Sequence, residues 1–302
     1  MQAHSREDLK IFPSARDLFN EVDALLLDAY GVLWSGEGVF PGVLPFLEEC
    51  HRLGKRIVIV SNTTRRSEPE EARYAKHGLL KEKHFDALVT SGEVLAQAWQ
   101  DQGSLGRVYV LFGDHPQYGG MHRGLFAGQH IEEVTTPEEA DWFYLSIPHH
   151  LGGDTTTLEP LLAQIREWSS LGKPVVVGNP DCYAPEGSPP RWVVRQGLVA
   201  QEMERLGVSV EWAGKPAPRI FQYALAMPCL EGIAHDRMVM IGDTPDTDIR
   251  GASGVGLKSA LVIDTGRMTG LLQTGQKLSS LMEGWPASDR PTWIIERLAP
   301  LN

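Results

Sequence analysis

What most constrains this chain is a recurring pair of patterns: a short apolar run, then an amphipathic stretch of helical length. Runs of the first kind are Ala24–Leu27, Arg56–Val60, Ala87–Thr90, Arg107–Phe112, Trp142–Ile147, Pro174–Val177, Met238–Ile241 and Ser259–Ile263. Each is nearly unbroken in apolar character, as a strand covered on both faces must be. Amphipathic stretches such as Val43–Leu53, Val94–Gln100, Leu158–Leu171 and Ile220–Met227 fall between them. Alternation of the two predicts an α/β fold on a mostly parallel sheet. The 302 residues show no fixed-period repeat or low-complexity linker, and their number suggests two domains.

Charge narrows the function. A net charge of −11 opposes nucleic acid and anionic membrane surfaces as partners. Cys50, Cys182 and Cys229 are scattered without a CxxC, which argues against a disulfide framework or a zinc knuckle. The opening MQAHSREDLK has no apolar stretch of leader length, and no run approaches the ~18 apolar residues of a membrane span. The expectation is a soluble, cytoplasmic protein.

In parallel sheets the chemistry sits beyond the carboxyl ends of the strands. Asp28-Ala-Tyr-Gly-Val-Leu33 follows the first strand, Ser61-Asn62-Thr63-Thr64 the second, and Gly242-Asp243 through Asp248 the strand at Met238. Gly214-Lys215-Pro216 precedes the helix that leads into that last strand. Singly, each has a plain reading: Asp28 as a turn cap, Ser61 or Asn62 as a helix cap, Lys215 as a solvated lysine. Two acids, Asp243 and Asp248, so soon after a buried strand suit a hard cation. Together, acid, hydroxyl, lysine and acid pair supply a nucleophile, charge neutralisation and carboxylates for magnesium, which are the needs of phosphoryl transfer.

This ordered set resembles the haloacid dehalogenase (HAD) superfamily, whose motifs read DxDGxL, a hydrophobic run ending in Ser or Thr, Lys, and GDxxxxD. Asp28 and Ser61 stand 33 residues apart and Ser61 and Lys215 154 apart, so the room for an insert lies between the second and third motifs. That spacing, with Phe40-Pro41-Gly42, Asn179-Pro180-Asp181 and Thr247-Asp248-Ile249, is similar to the class IIA branch, which includes phosphatases of phosphoglycolate, pyridoxal phosphate and nucleotides. The resemblance implies a Rossmann-like core of residues 1–85 and 206–302 and a large α/β cap of residues 86–205. It implies Asp28 as nucleophile, with Lys215 neutralising its charge and the phosphate's. It assigns Mg2+ to Asp28, the carbonyl of Tyr30, Asp243 and Asp248, and the substrate to Ser61, Asn62, Asn179 and Asp181. Arg65, just beyond Ser61-Asn62, is a candidate for an anionic substrate group. The partner is then a small phosphorylated metabolite, and pairing of two copies through the caps is a further implication.

One position departs from the pattern. Tyr30 stands where the family's second Asp protonates the leaving group and activates water. Losing a general acid–base costs roughly 10²–10⁴-fold in rate, and a phenol of pKa about 10 is a poor base near neutrality. Three readings follow: a phosphatase suited to easy leaving groups or using another acid such as Asp246, a phospho-ligand binding or regulatory protein, and a metal-independent dehalogenase. The phosphatase is the principal expectation. His149-His150 with Asp154 reads as an exposed loop, and Gly113 as a turn.

Overall fold

Ala24–Leu27 and Ile57–Val60 are fully buried, as uninterrupted apolar strands require. They belong to a parallel sheet in which six strands run in the order Ile11–Ser14, Trp293–Arg297, Lys258–Val262, Met238–Gly242, Ala24–Leu27 and Arg56–Ser61. Leu27 lies opposite Ile241, so the residues that follow these two strands leave the sheet at the same carboxyl edge. The computed structural model describes residues 10–100, 102–187 and 191–300. It divides into two units, and this sheet organises the first: the chain up to Val60, Tyr74–Ala87, and the chain from Ala224 onward.

The second unit comprises Ser61–Arg73 and Leu88–Tyr223. Its sheet is also parallel, in the order Val210–Trp212, Val175–Val177, Trp142–Leu145, Ser104–Leu111 and His130–Glu133. Side chains alternate between its faces: Val176 packs with Val108, Val110 and Tyr144, and Val175 and Val177 with Phe143, Leu145 and Trp168. Val210–Trp212 pairs with Val175–Val177, which places the residues around it with this sheet. Residues 61–73 are tied here too, because Ser91 Oγ donates to the carbonyls of Asn62 and Thr63 and Glu93 takes Arg66 in a bidentate pair. Tyr183–Glu186 and Arg191–Val194 form a separate antiparallel hairpin.

Strands appear where the apolar runs placed them, with small differences at the ends. The run Arg107–Phe112 is strand over Ser104–Leu111, and Trp142–Ile147 stops at Leu145. Phe112 takes φ 58°, which ends extended structure there. His130–Glu133 carried no apolar signal because it is a largely exposed edge strand, and in Val210–Trp212 the charged Glu211 interrupts the run. The loop reading of His149-His150 needs correction: His150 is exposed, whereas His149 is buried against Phe112 and His115. Among the described residues no helix is long and apolar enough to cross a membrane. Cys50, Cys182 and Cys229 form no disulfide among the described residues.

Candidate active site

Asp28 leaves its strand with its amide still donating to Ile241 O at 2.9 Å. The chain then turns tightly: Gly31 N–H donates to Trp34 O at 2.8 Å and Leu33 N–H to Ala29 O at 2.9 Å. From the adjacent strand, Gly242 runs directly into Asp243, and a five-residue π-helical turn over Pro245–Ile249 brings Asp248 back. The result is a cluster in which Asp28, Asp243 and Asp248 each offer one carboxylate oxygen, all within 4.8 Å of one another. Asp243 and Asp248 are buried and Asp28 partly so.

Backbone groups and glycines hold these acids. Asp243 Oδ1 accepts from the Thr244 hydroxyl at 3.0 Å and Oδ2 from the Arg267 amide at 2.6 Å. Asp248 Oδ2 accepts from the Thr244 amide at 3.1 Å. A Cβ on Gly31 or on Gly266 would overlap the Asp243 carboxylate, and one on Gly242 would overlap Asp248. Gly31 and Gly266 also have φ of 90° and 64°, a backbone region that favours glycine. Burial first, then the charges of Asp28 and Asp248, push the Asp243 pKa well above the usual carboxylate range. Such a group of hard oxygen donors is stabilised by a cation.

The second unit assembles another set. Ser61 ends its strand, buried, with Oγ accepting the Thr63 amide at 3.3 Å. The Asn62 carboxamide is wholly engaged: Oδ1 accepts from Lys215 N–H at 2.7 Å, and Nδ2 donates to Asp181 Oδ1 at 2.9 Å and to Lys215 O at 3.3 Å. Asn179 Oδ1 accepts the Asp181 amide at 2.9 Å, a turn that presents Asp181 to Asn62. Lys215, an amine only 2% exposed, is therefore fixed at its backbone by an amide far away in sequence. The structure thus joins Asn62, Asn179, Asp181 and Lys215 and gives Asn62 a positioning task. Arg65 lies apart from them, exposed, with Nε 3.8 Å from Glu70.

Residues 25–117 match the family model of haloacid dehalogenase-like hydrolases, and residues 212–301 match a HAD-hydrolase-like model. The chain belongs to the haloacid dehalogenase-like hydrolases. Human Chronophin is 28% identical over 261 residues, spanning 82% of this chain and 83% of its own length. The Sugar-phosphatase AraL of Bacillus subtilis is 26% identical, spanning 79% of this chain and 82% of its own. A solved haloacid dehalogenase-like hydrolase from Brucella suis superposes with a TM-score of 0.77 at 23% identity, covering 95% of this chain and 99% of that one. The class IIA, phosphoric monoester hydrolase assignment stands with these relatives.

Within this hydrolase, Tyr30 is 43% exposed and its hydroxyl accepts the Gly36 amide at 3.2 Å. Asp246, considered as a replacement acid, has Oδ1 held by the Arg267 guanidinium at 2.7 Å. Sequence reasoning passed over Thr244, Thr265, Gly266 and Arg267. Thr265 Oγ1 donates to Gly31 O at 2.6 Å and so joins the loop after Lys258–Val262 to the loop of Asp28. The strand-end rule that found Asp28 and Asp243 extends to this loop, which follows a buried strand equally closely.

Proposed function

We propose that this hydrolase is a magnesium-dependent phosphatase of a small phosphorylated metabolite, working through an aspartyl-phosphate on Asp28. The observation that carries the reading is the convergence of three carboxylates within 4.8 Å. The glycine cradle around Asp243 and Asp248 leaves no room for side chains there, and the oxygen-only donor set fits Mg2+. Asp28, Asp243 and the Tyr30 carbonyl would hold the ion, with Asp248 behind them. Bound there, it supplies positive charge to the phosphoryl oxygens.

The Asp28 carboxylate attacks phosphorus, the ester P–O bond breaks, and the leaving oxygen departs with its electron pair. Water then attacks the aspartyl-phosphate, which releases inorganic phosphate and a proton and restores the carboxylate. Ser61 and the Lys215 ammonium hold the phosphoryl oxygens, and Asn62, with Asp181 and Asn179 behind it, sets the position of Lys215. Arg65 faces an anionic group of the substrate from the margin. Residues 86–205 act as the cap.

With Tyr30 in place of an acid, the leaving oxygen departs unprotonated, so acyl and aryl phosphates react faster than alkyl phosphates. Phosphate release from acetyl phosphate, p-nitrophenyl phosphate and simple alkyl phosphates, each with and without Mg2+, tests this. Release that requires Mg2+ and favours acetyl phosphate supports the proposal. Silence across the panel, with Mg2+ and a phosphate analogue still raising Tm, would instead make the chain a phospho-ligand binding protein.

A further inference from the structure

The loop after Lys258–Val262 makes a hydrogen-bond exchange that its own secondary structure does not call for. Thr265 stands at the N-cap of the helix Gly266–Gln273, its backbone extended at φ −132° and ψ 167°. A threonine there ordinarily turns its hydroxyl oxygen to accept an amide of the first helical turn, which the helix itself leaves unsatisfied. Thr265 makes no such bond. Its Oγ1 donates instead to Gly31 O at 2.6 Å, 234 residues away in the chain. The Arg267 amide in that first turn is given to Asp243 Oδ2, also at 2.6 Å. Local capping is thus replaced by two long-range bonds, one to each loop that supplies the carboxylate cluster.

Gly31 shows why an outside bond is needed. Its N–H donates to Trp34 O at 2.8 Å, and across a trans peptide the Tyr30 carbonyl then points the opposite way. That fixes one of the two peptide planes beside Gly31. The other plane carries the carbonyl that Thr265 holds. Between them Gly31 sits at φ 90° with no Cβ to limit its rotation, so its own backbone leaves the angle between the planes soft. Thr265 removes that freedom.

A restraint of this kind works only from a fixed post. Ile263 N–H donates to Ile295 O at 3.1 Å and Asp264 N–H to Glu296 O at 2.8 Å, which ties the start of the loop to the neighbouring strand. Thr269 Oγ1 donates back to Ile263 O at 3.2 Å. Met268, in the first turn of the helix, is fully buried among Ile249, Leu261, Ile263 and Ile294. The helix start is therefore anchored in the core while it grips Gly31 on one side and Asp243 on the other.

We propose that Thr265 is a positioning residue for the magnesium site: it sets the Tyr30–Gly31 backbone against Asp243 and so governs the affinity for Mg2+. This rests on the magnesium-dependent phosphatase reading, to which it adds the group that couples the two ligand-bearing loops. Residues that orient metal ligands from behind govern affinity by roughly 10–100-fold, and a single bond to a backbone carbonyl belongs at the lower end.

Thr265→Val keeps the branched side chain, gives up no capping bond and removes the donor to Gly31. Thr265→Ser keeps a hydroxyl. Calorimetric titration of the full chain with Mg2+ alone, without substrate, reads the site, and binding that vanishes in Asp243→Asn is the binding counted. The Kd for Mg2+ is expected to rise roughly 10-fold in Thr265→Val and to stay within about 3-fold of the parent in Thr265→Ser. If Thr265→Val binds Mg2+ as tightly as the parent, whether or not its Tm falls, Thr265 is a purely structural residue; the proposal is overturned and the phosphatase reading stands. Absence of any Asp243-dependent binding in the parent would overturn the magnesium reading and the role of Thr265 together.

Discussion

The two units meet the cost of burying polar groups in opposite ways. In the first, three carboxylates each place an oxygen within 4.8 Å of the others, and burial, then their mutual repulsion, lifts the Asp243 pKa. In the second, Asn62, Asp181 and Lys215 satisfy one another through short hydrogen bonds, donor to acceptor. The first arrangement holds potential for chemistry at the expense of stability; the second contributes stability and orients one ammonium group. Removing a member of the first is expected to alter rate, and removing a member of the second to alter folding.

The largest effect tests that division directly. Asp28→Asn should lower turnover by roughly 10⁵–10⁶-fold, as loss of a nucleophile does, while Tm stays level or rises as repulsion is relieved. Steady-state kinetics beside a thermal melt reads both, and a collapse of Tm would break the contrast. Next comes Tyr30→Asp, expected to speed hydrolysis of alkyl phosphates by about 10²–10⁴-fold if the missing acid is what limits it. A variant no faster than the parent on glycerol phosphate would mean that another group already protonates the leaving oxygen.

Asn62→Leu probes the other side. It removes the acceptor of the Lys215 amide and a donor shared by the Lys215 carbonyl and Asp181, at a cost of about 1–3 kcal/mol. Denaturant melts should show the loss, and Asn62→Asp, which keeps the acceptor for Lys215 N–H, should recover part of it. The smallest effect lies outside both clusters. The Arg237 guanidinium, together with Lys55, lowers the Asp23 pKa to about 2. A carboxylate depressed in the folded state stabilises above its unfolded pKa of about 3.9, and that contribution is lost as pH falls toward 2. Solvent screening limits it to at most about 1 kcal/mol. Asp23→Asn should flatten the acid limb of a Tm profile by that amount, and an unaltered limb would remove the pair from the stability account.

Much of this was legible in the sequence because continuous apolar strands announce themselves, and their carboxyl ends are where catalytic groups stand. Asp28, Asp243 and Asp248 could be read that way, and the structure brings them together. The work of Asn62 could not, since its partner Lys215 lies 153 residues along the chain and an amide's type does not reveal its partner. His149 was misread for a related reason: a polar residue beside Gly152-Gly153 looks exposed until Phe112 and His115 are known to cover it. Edge strand His130–Glu133 escaped because exposure on an edge removes the apolar pattern by which a strand is recognised.

The nucleophile loop has one further consequence. Gly31 is closed to every other side chain by the Asp243 carboxylate, whereas its neighbour Tyr30 is 43% exposed, with its hydroxyl on the Gly36 amide. Four consecutive residues therefore combine an immovable floor with an exchangeable fitting. Changing residue 30 leaves the carboxylates where they are, so a descendant of this chain is free to gain or lose leaving-group chemistry by a single substitution without rebuilding its foundation.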